Sequence, residues 1–174
     1  MTEFFSSRRR FMTSVGMGGA ALGLLAACGI DPKGDETADK SGDDAQKHAM
    51  KFEKKAKEFV ERYKLDDGTV HPRHLEDHKD SKEPVDVYLL ARRFSFEPGI
   101  LKLNRGVAYR FHMMTNDVTH SVWFQPGDIP PITLRKNEPV EQTIALHRLG
   151  NHSITCNIYC GPGHDKMRVQ VTVV

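Results

Sequence analysis

The sequence predicts an all-β domain, a Greek-key sandwich or barrel, preceded by one amphipathic α-helix. Three observations carry that reading. Between residues 45 and 64, apolar side chains recur at helical spacing. From Val85 onward the chain changes to short β-rich segments separated by turn residues, with no helical stretch between them. That last stretch is roughly 90 residues long, enough to bury one modest core.

Ahead of the helix lie signals of export rather than of fold. Ser7-Arg8-Arg9-Arg10-Phe11-Met12 has the form of a twin-arginine export motif. The apolar run from Val15 to Ala27 is rich in Gly and Ala and too short to span a bilayer. It ends in Leu25-Ala26-Ala27-Cys28, which resembles a bacterial lipobox, with cleavage before Cys28 and lipid added to its sulfur. An uncleaved anchor helix is the alternative. The expectation is a signal peptide over 1–27 and an exported, lipid-anchored chain facing the periplasm or the outer face of the cell membrane. Gly29 to Asp44 offers almost no apolar side chain, so residues 28–44 read as a flexible tether.

Removing residues 1–27 takes away three Arg and one Glu, so 25 basic and 23 acidic side chains become 22 and 22. A charge near zero gives no electrostatic case for nucleic acid. No other apolar run approaches membrane-spanning length.

In the helix, Phe52, Ala56, Phe59, Val60 and Tyr63 form one stripe, and Lys and Glu fill the other face. Asp43 or Asp44 is placed to cap its start. The stripe is expected to rest on the chain's own domain rather than on a partner. A polar connector completes the 45–84 region. His71, His74 and His78 would share one helical face there and could collect a metal ion, but Pro72 and the surrounding charges favour a solvated connector.

The β-rich region, 85–174, divides at its turns. Val85 to Phe96 alternates imperfectly and ends at Glu97-Pro98-Gly99. Ile100 to Leu103 ends at Asn104-Arg105-Gly106, and Val107 to Met114 ends at Thr115-Asn116-Asp117. His120 to Phe124 is a strand, Gly127 to Pro131 a loop, and Val140 to Leu146 a strand. Leu149-Gly150-Asn151 turns the chain into His152 to Cys156, and Arg168 to Val174 closes the domain. Seven or so strands result. His112, His147 and His152 read as ordinary strand or loop histidines, and Met113 and Met114 as packing residues.

Between the last two strands lies the segment Cys156-Asn157-Ile158-Tyr159-Cys160-Gly161-Pro162-Gly163-His164-Asp165-Lys166-Met167. Two thiolates, an imidazole and a thioether at spacings C-x3-C-x3-H-x2-M are soft ligands that select copper. One Cys with a His and a distant Met suffices for a single copper. A second Cys lets two sulfurs bridge a pair of ions. A Cys156–Cys160 disulfide is the other reading of the pair in an oxidising compartment, but it gives no reason for His164 and Met167. A second histidine is needed, and His120, in Asp117-Val118-Thr119-His120-Ser121, is its natural source.

With these two segments together, residues 85–174 resemble the CuA domain of cytochrome c oxidase subunit II. That family shows a D-V-x-H-S/G segment and a C-x3-C-G-x-G-H-x2-M loop before its last strand. The C-N-x-Y-C-G-x-G-H wording here is most like subunit II of the B-type haem–copper oxidases, and Phe96 and Pro98 match the family's F-x-P turn. The resemblance implies a cupredoxin-like fold and a binuclear CuA centre of two copper ions. Cys156 and Cys160 would bridge the pair. His120 and Met167 would complete one copper; His164 and the backbone carbonyl of Ile158 would complete the other. Asp117 is then a candidate for a supporting hydrogen bond to a ligand. Many family members carry a magnesium-binding carboxylate where Ile158 stands, so no magnesium is expected. Subunit II also has transmembrane helices, which are not found here, and a Trp-rich electron-entry cluster, reduced here to Phe94, Phe96 and Trp123.

The implied function is that of a lipid-anchored electron-transfer protein, not catalytic alone. It would take single electrons from cytochrome c or a similar donor and pass them to a haem–copper oxidase or another membrane reductase. The alternative is a copper delivery or storage protein that adds His71, His74 and His78 to the same ligands.

Overall fold

The computed structural model describes residues 40–72, 83–126 and 129–174. One helix, α1 (Lys40–Tyr63), precedes nine strands among the described residues. These are β1 (Val85–Arg92), β2 (Ser95–Glu97), β3 (Ile100–Leu103), β4 (Ala108–Thr115), β5 (His120–Gln125), β6 (Ile132–Leu134), β7 (Val140–Ala145), β8 (Gly150–Thr155) and β9 (Arg168–Val173). They form a four-stranded sheet ordered β2-β1-β4-β7 and a five-stranded sheet ordered β3-β9-β8-β5-β6. Most neighbours are antiparallel, but β1 lies parallel to β4 and β3 parallel to β9. The fold is a cupredoxin-like β sandwich.

Alternation builds the shared core. β9 alternates strictly, with Val169, Val171 and Val173 inward and Arg168, Gln170 and Thr172 outward, as a sheet with one wet face requires. Leu89 and Phe111 from the first sheet meet Phe124 and Ile154 from the second, and the Phe111 and Phe124 rings meet edge to face at 5.1 Å.

The imperfect alternation of β1 has a physical cause. Its outer face is covered by α1, so Leu90 is buried there with Met114 of β4, against Ala49, Phe52 and Ala56 of the helix. Phe59 and Tyr63 continue the stripe into the main core. Each large apolar side chain buried this way contributes about 1.5–3 kcal/mol. The stripe thus rests on its own domain, and Met113 and Met114 are both packing residues.

Several boundaries differ from the sequence reading. The helix starts at Lys40, inside the segment expected to be tether, so Asp43 sits in its first turn and neither Asp43 nor Asp44 is its cap. Val85 to Phe96 is two strands rather than one, because the chain turns back after Arg92 and β2 pairs antiparallel with β1. Gly150 and Asn151 already belong to β8. β6 escaped the pattern because three residues after two prolines carry no periodicity of their own, and pairing with β5 makes them a strand. His74, His78 and Cys28 lie outside the described residues. Among those residues, no helix is long and apolar enough to cross a membrane.

Candidate metal centre

β5, β8 and β9 bring the candidate ligands together. β5 pairs with β8 through Trp123↔Thr155, and β8 with β9 through Thr155↔Arg168. The start of β5 therefore lies beside the end of β8, and His120 meets a cysteine 36 residues away in sequence. Between β8 and β9 the chain makes a tight loop that ends in one turn of 3-10 helix, His164–Lys166. The Cys156 amide donates to the Met167 carbonyl at 3.3 Å, closing the loop at its neck.

His120, Cys156 and Cys160 have their ligand atoms within 4.8 Å of one another. The Cys156 Sγ lies 4.0 Å from His120 Nδ1 and 3.2 Å from the Ile158 carbonyl oxygen. The Cys160 Sγ lies 3.6 Å from His164 Nδ1 and 3.9 Å from the Met167 Sδ. Four candidate donors thus converge on two unbridged sulfurs. Burial grades across the cluster: His120, Cys156 and Met167 are buried, whereas Cys160 and His164 are half-buried.

Among the described residues, the buried polar side chains are Thr115, His120 and Ser121, all at this end of the sandwich. Each is satisfied, as burial demands. His120 Nε2 donates to Asp117 Oδ1 at 2.9 Å, which leaves the Nδ1 lone pair free on the side facing Cys156. The Ser121 amide points at the Cys156 Sγ from 3.4 Å, and the Ser121 hydroxyl is hydrogen-bonded to the Asn157 side chain and accepts from its amide at 2.8 Å. The Asp117 carboxylate also receives the Arg93 amide at 2.7 Å, the Val118 amide at 2.6 Å and the Thr115 hydroxyl at 2.9 Å. Burial pushes its pKa up, but the Val118 and Arg93 amides, the Thr115 hydroxyl and His120 outweigh that and lower it to about 2. Burial raises the Cys160 thiol, and Cys156 adds to the shift. A metal binding here displaces protons.

The donor set fits copper. Soft sulfur and an imidazole with its second nitrogen held by a carboxylate are what such an ion takes.

Other site candidates fall out differently. Phe94 lies across the loop: a Cβ at Gly161 would sit 3.0 Å from its Cε1, and one at Gly163 2.9 Å from its Cδ2. Both glycines have positive φ, 129° and 105°, so the loop needs them twice over. Phe96 is corrected from surface to core: at 4% exposure on β2 it presents nothing to a partner. Trp123 is half-buried. Tyr159, not singled out from sequence, is 76% exposed beside Cys160, with its ring edge-on to His164 at 5.8 Å. An aromatic between two ligands was the available signal. His112 holds Asp86 and Glu141 at 3.0 and 2.8 Å and stacks on Tyr88, while His152 and His71 bond the Arg148 carbonyl and Asn104.

No protein-family model matches the chain. Cytochrome c oxidase subunit 2 of Thermus thermophilus is 30% identical over 81 residues, which cover 47% of this chain and 59% of that protein. The protein of the same name from a further Thermus thermophilus strain is also 30% identical over 81 residues, covering 47% of this chain and 48% of its own. The chain carries a domain similar to the CuA domain of cytochrome c oxidase subunit II. This subunit II-like chain spans roughly half the length of those relatives, 59% and 48%. A solved rusticyanin variant superposes with a TM-score of 0.50 at 15% identity, covering 69% of this chain and 93% of that one, a likeness of fold.

Proposed function

We propose that the chain is a lipid-anchored, periplasm-facing electron-transfer protein with a binuclear copper centre. Single electrons would come from a cytochrome c-like donor and go to a haem–copper oxidase or another membrane reductase. The observation that supports this reading is the convergence of four further donors on two unbridged sulfurs. His120 and the Ile158 carbonyl approach Cys156, and His164 and Met167 approach Cys160, so two ions held by both sulfurs would each have a histidine and one weaker donor within reach.

Cys156 and Cys160 would hold the two copper ions together with His120, His164, Met167 and the Ile158 carbonyl, and the copper pair would supply one-electron transfer. The protein's part is rigidity. Asp117 fixes the His120 ring, Ser121 fixes Cys156, and Phe94 lies over the loop glycines. His120 would complete the copper it shares with Met167, and His164 the one it shares with the Ile158 carbonyl. Cys28 would carry the lipid.

Reconstitution with copper, followed by visible and electron paramagnetic resonance spectra, tests the reading. The expected product is purple, with a mixed-valence signal shared over two copper nuclei. A colourless protein that holds Cu(I) alone and yields it readily to a chelator would overturn the reading in favour of copper delivery or storage. Mass spectrometry of the membrane-extracted chain tests the anchor, which predicts diacylglycerol on Cys28 as the new N-terminus.

A further inference from the structure

Helix α1 reaches the copper end of the domain through one side chain. We propose that Glu53 is a positioning residue for His120: it holds the turn that carries Asp117, and Asp117 holds the imidazole. The proposal rests on reading this site as a copper centre.

The parallel ladder between β1 and β4 ends at the pair Ala91↔Thr115. Beyond it the chains leave as two turns, and the supporting carboxylate Asp117 stands on one of them. Glu53 begins where the ladder stops. Its Oε2 receives the Arg92 guanidinium at 3.1 Å, and its Oε1 accepts from the Asn116 side-chain amide. Arg92 and Asn116 are the first residues past the ladder, one on each chain. The next residues, Arg93 and Asp117, are joined by the Arg93 amide to Asp117 Oδ2 at 2.7 Å. One carboxylate from the helix therefore staples both turns a single residue before the bond that orients Asp117. The other Asp117 oxygen then receives His120 Nε2.

The position of Glu53 supports this role. It follows Phe52 on the edge of the buried stripe, so the packing of α1 places its carboxylate over the sheet edge. The exposed Lys54–Glu58 pair at 3.8 Å has no such reach and serves as the control. A half-exposed ion pair adds little stability, so the effect belongs to orientation.

The test uses the full chain, first metal-free and then loaded with copper. In the metal-free protein, Glu53→Ala should speed hydrogen exchange at the Arg93 amide and the His120 ring N–H by about tenfold or more, as local opening of the turn allows. Glu53→Gln keeps an acceptor for Asn116 and should fall between, and Glu58→Gln should match wild type. After copper loading, Glu53→Ala should change the His120 hyperfine coupling at unchanged copper content. Wild-type exchange at both positions, with α1 still docked by near-ultraviolet circular dichroism, would overturn the proposal. If Glu53→Ala undocks the helix, Glu53→Gln decides: wild-type exchange and spectrum there are equally fatal. Should the wild type bind no copper, the copper reading fails by itself, and the exchange measurements still judge Glu53.

Discussion

His120 is wholly buried, and its Nε2 lies 2.9 Å from the Oδ1 of Asp117, itself held by two amides and a hydroxyl. The imidazole therefore has one tautomer and one orientation before any metal arrives, with Nδ1 presented to Cys156. Asp117→Ala should weaken copper binding by about 10- to 100-fold, the usual cost of losing such a partner. Competition against a chelator of known affinity measures this. Unchanged affinity would mean that burial alone orients the ring.

Cys156→Ser and Met167→Leu should behave differently. On the binuclear reading, losing the Cys156 sulfur should abolish the shared two-copper signal. Losing the thioether should leave that signal largely intact and raise the reduction potential, because a weak soft ligand is lost. Paramagnetic resonance and voltammetry of the two variants side by side check the contrast.

Tyr159 is 76% exposed with its ring edge-on to the half-buried His164, so on the proposed electron-transfer reading it lies on the face a donor would approach. Tyr159→Ala should change folding stability by no more than about 0.5 kcal/mol, as at other surface sites. Its copper spectrum should not move, whereas stopped-flow reduction by a cytochrome should slow several-fold. Equal slowing with a small inorganic reductant would place the effect at the copper instead.

Gly163→Ala sets a Cβ 2.9 Å from the Phe94 ring at a residue with φ of 105°. Left-handed strain costs on the order of 1–3 kcal/mol, and the displaced ring adds to it. A clear fall in thermal midpoint together with weaker copper retention is the expected result.

Asp86 anchors Arg110 at 2.6 Å and His112 at 3.0 Å on the outer face of β1 and β4. Burial raises its pKa, but hydrogen bonds and charge from Arg110 and His112 outweigh this and hold it below the ordinary 3.8. A depressed carboxylate adds stability above its unfolded pKa, and that stability is lost as pH falls through the folded value. Asp86→Asn should therefore be less stable than wild type at neutral pH, and the gap should narrow as the pH falls through the lowered titration range of the carboxyl. Urea denaturation at several pH values reads the gap.

The amino-acid sequence by itself determined the local parts of this protein. The amphipathic stripe of α1, the alternation of β9, and the two cysteines, histidine and methionine of one loop are set by neighbours a few residues apart. Short-range spacing encodes such features directly. The tertiary structure decided what those parts touch. The Cys156 sulfur meets His120 because β5 and β8 pair. Phe94 lies on Gly161 and Gly163 because β1 turns back on itself. Leu90 is buried on the outer face of β1 because α1 lies across it, and that packing brings Glu53 to Arg92 and Asn116. These contacts join residues tens of positions apart and come from packing whole elements, which no local periodicity records.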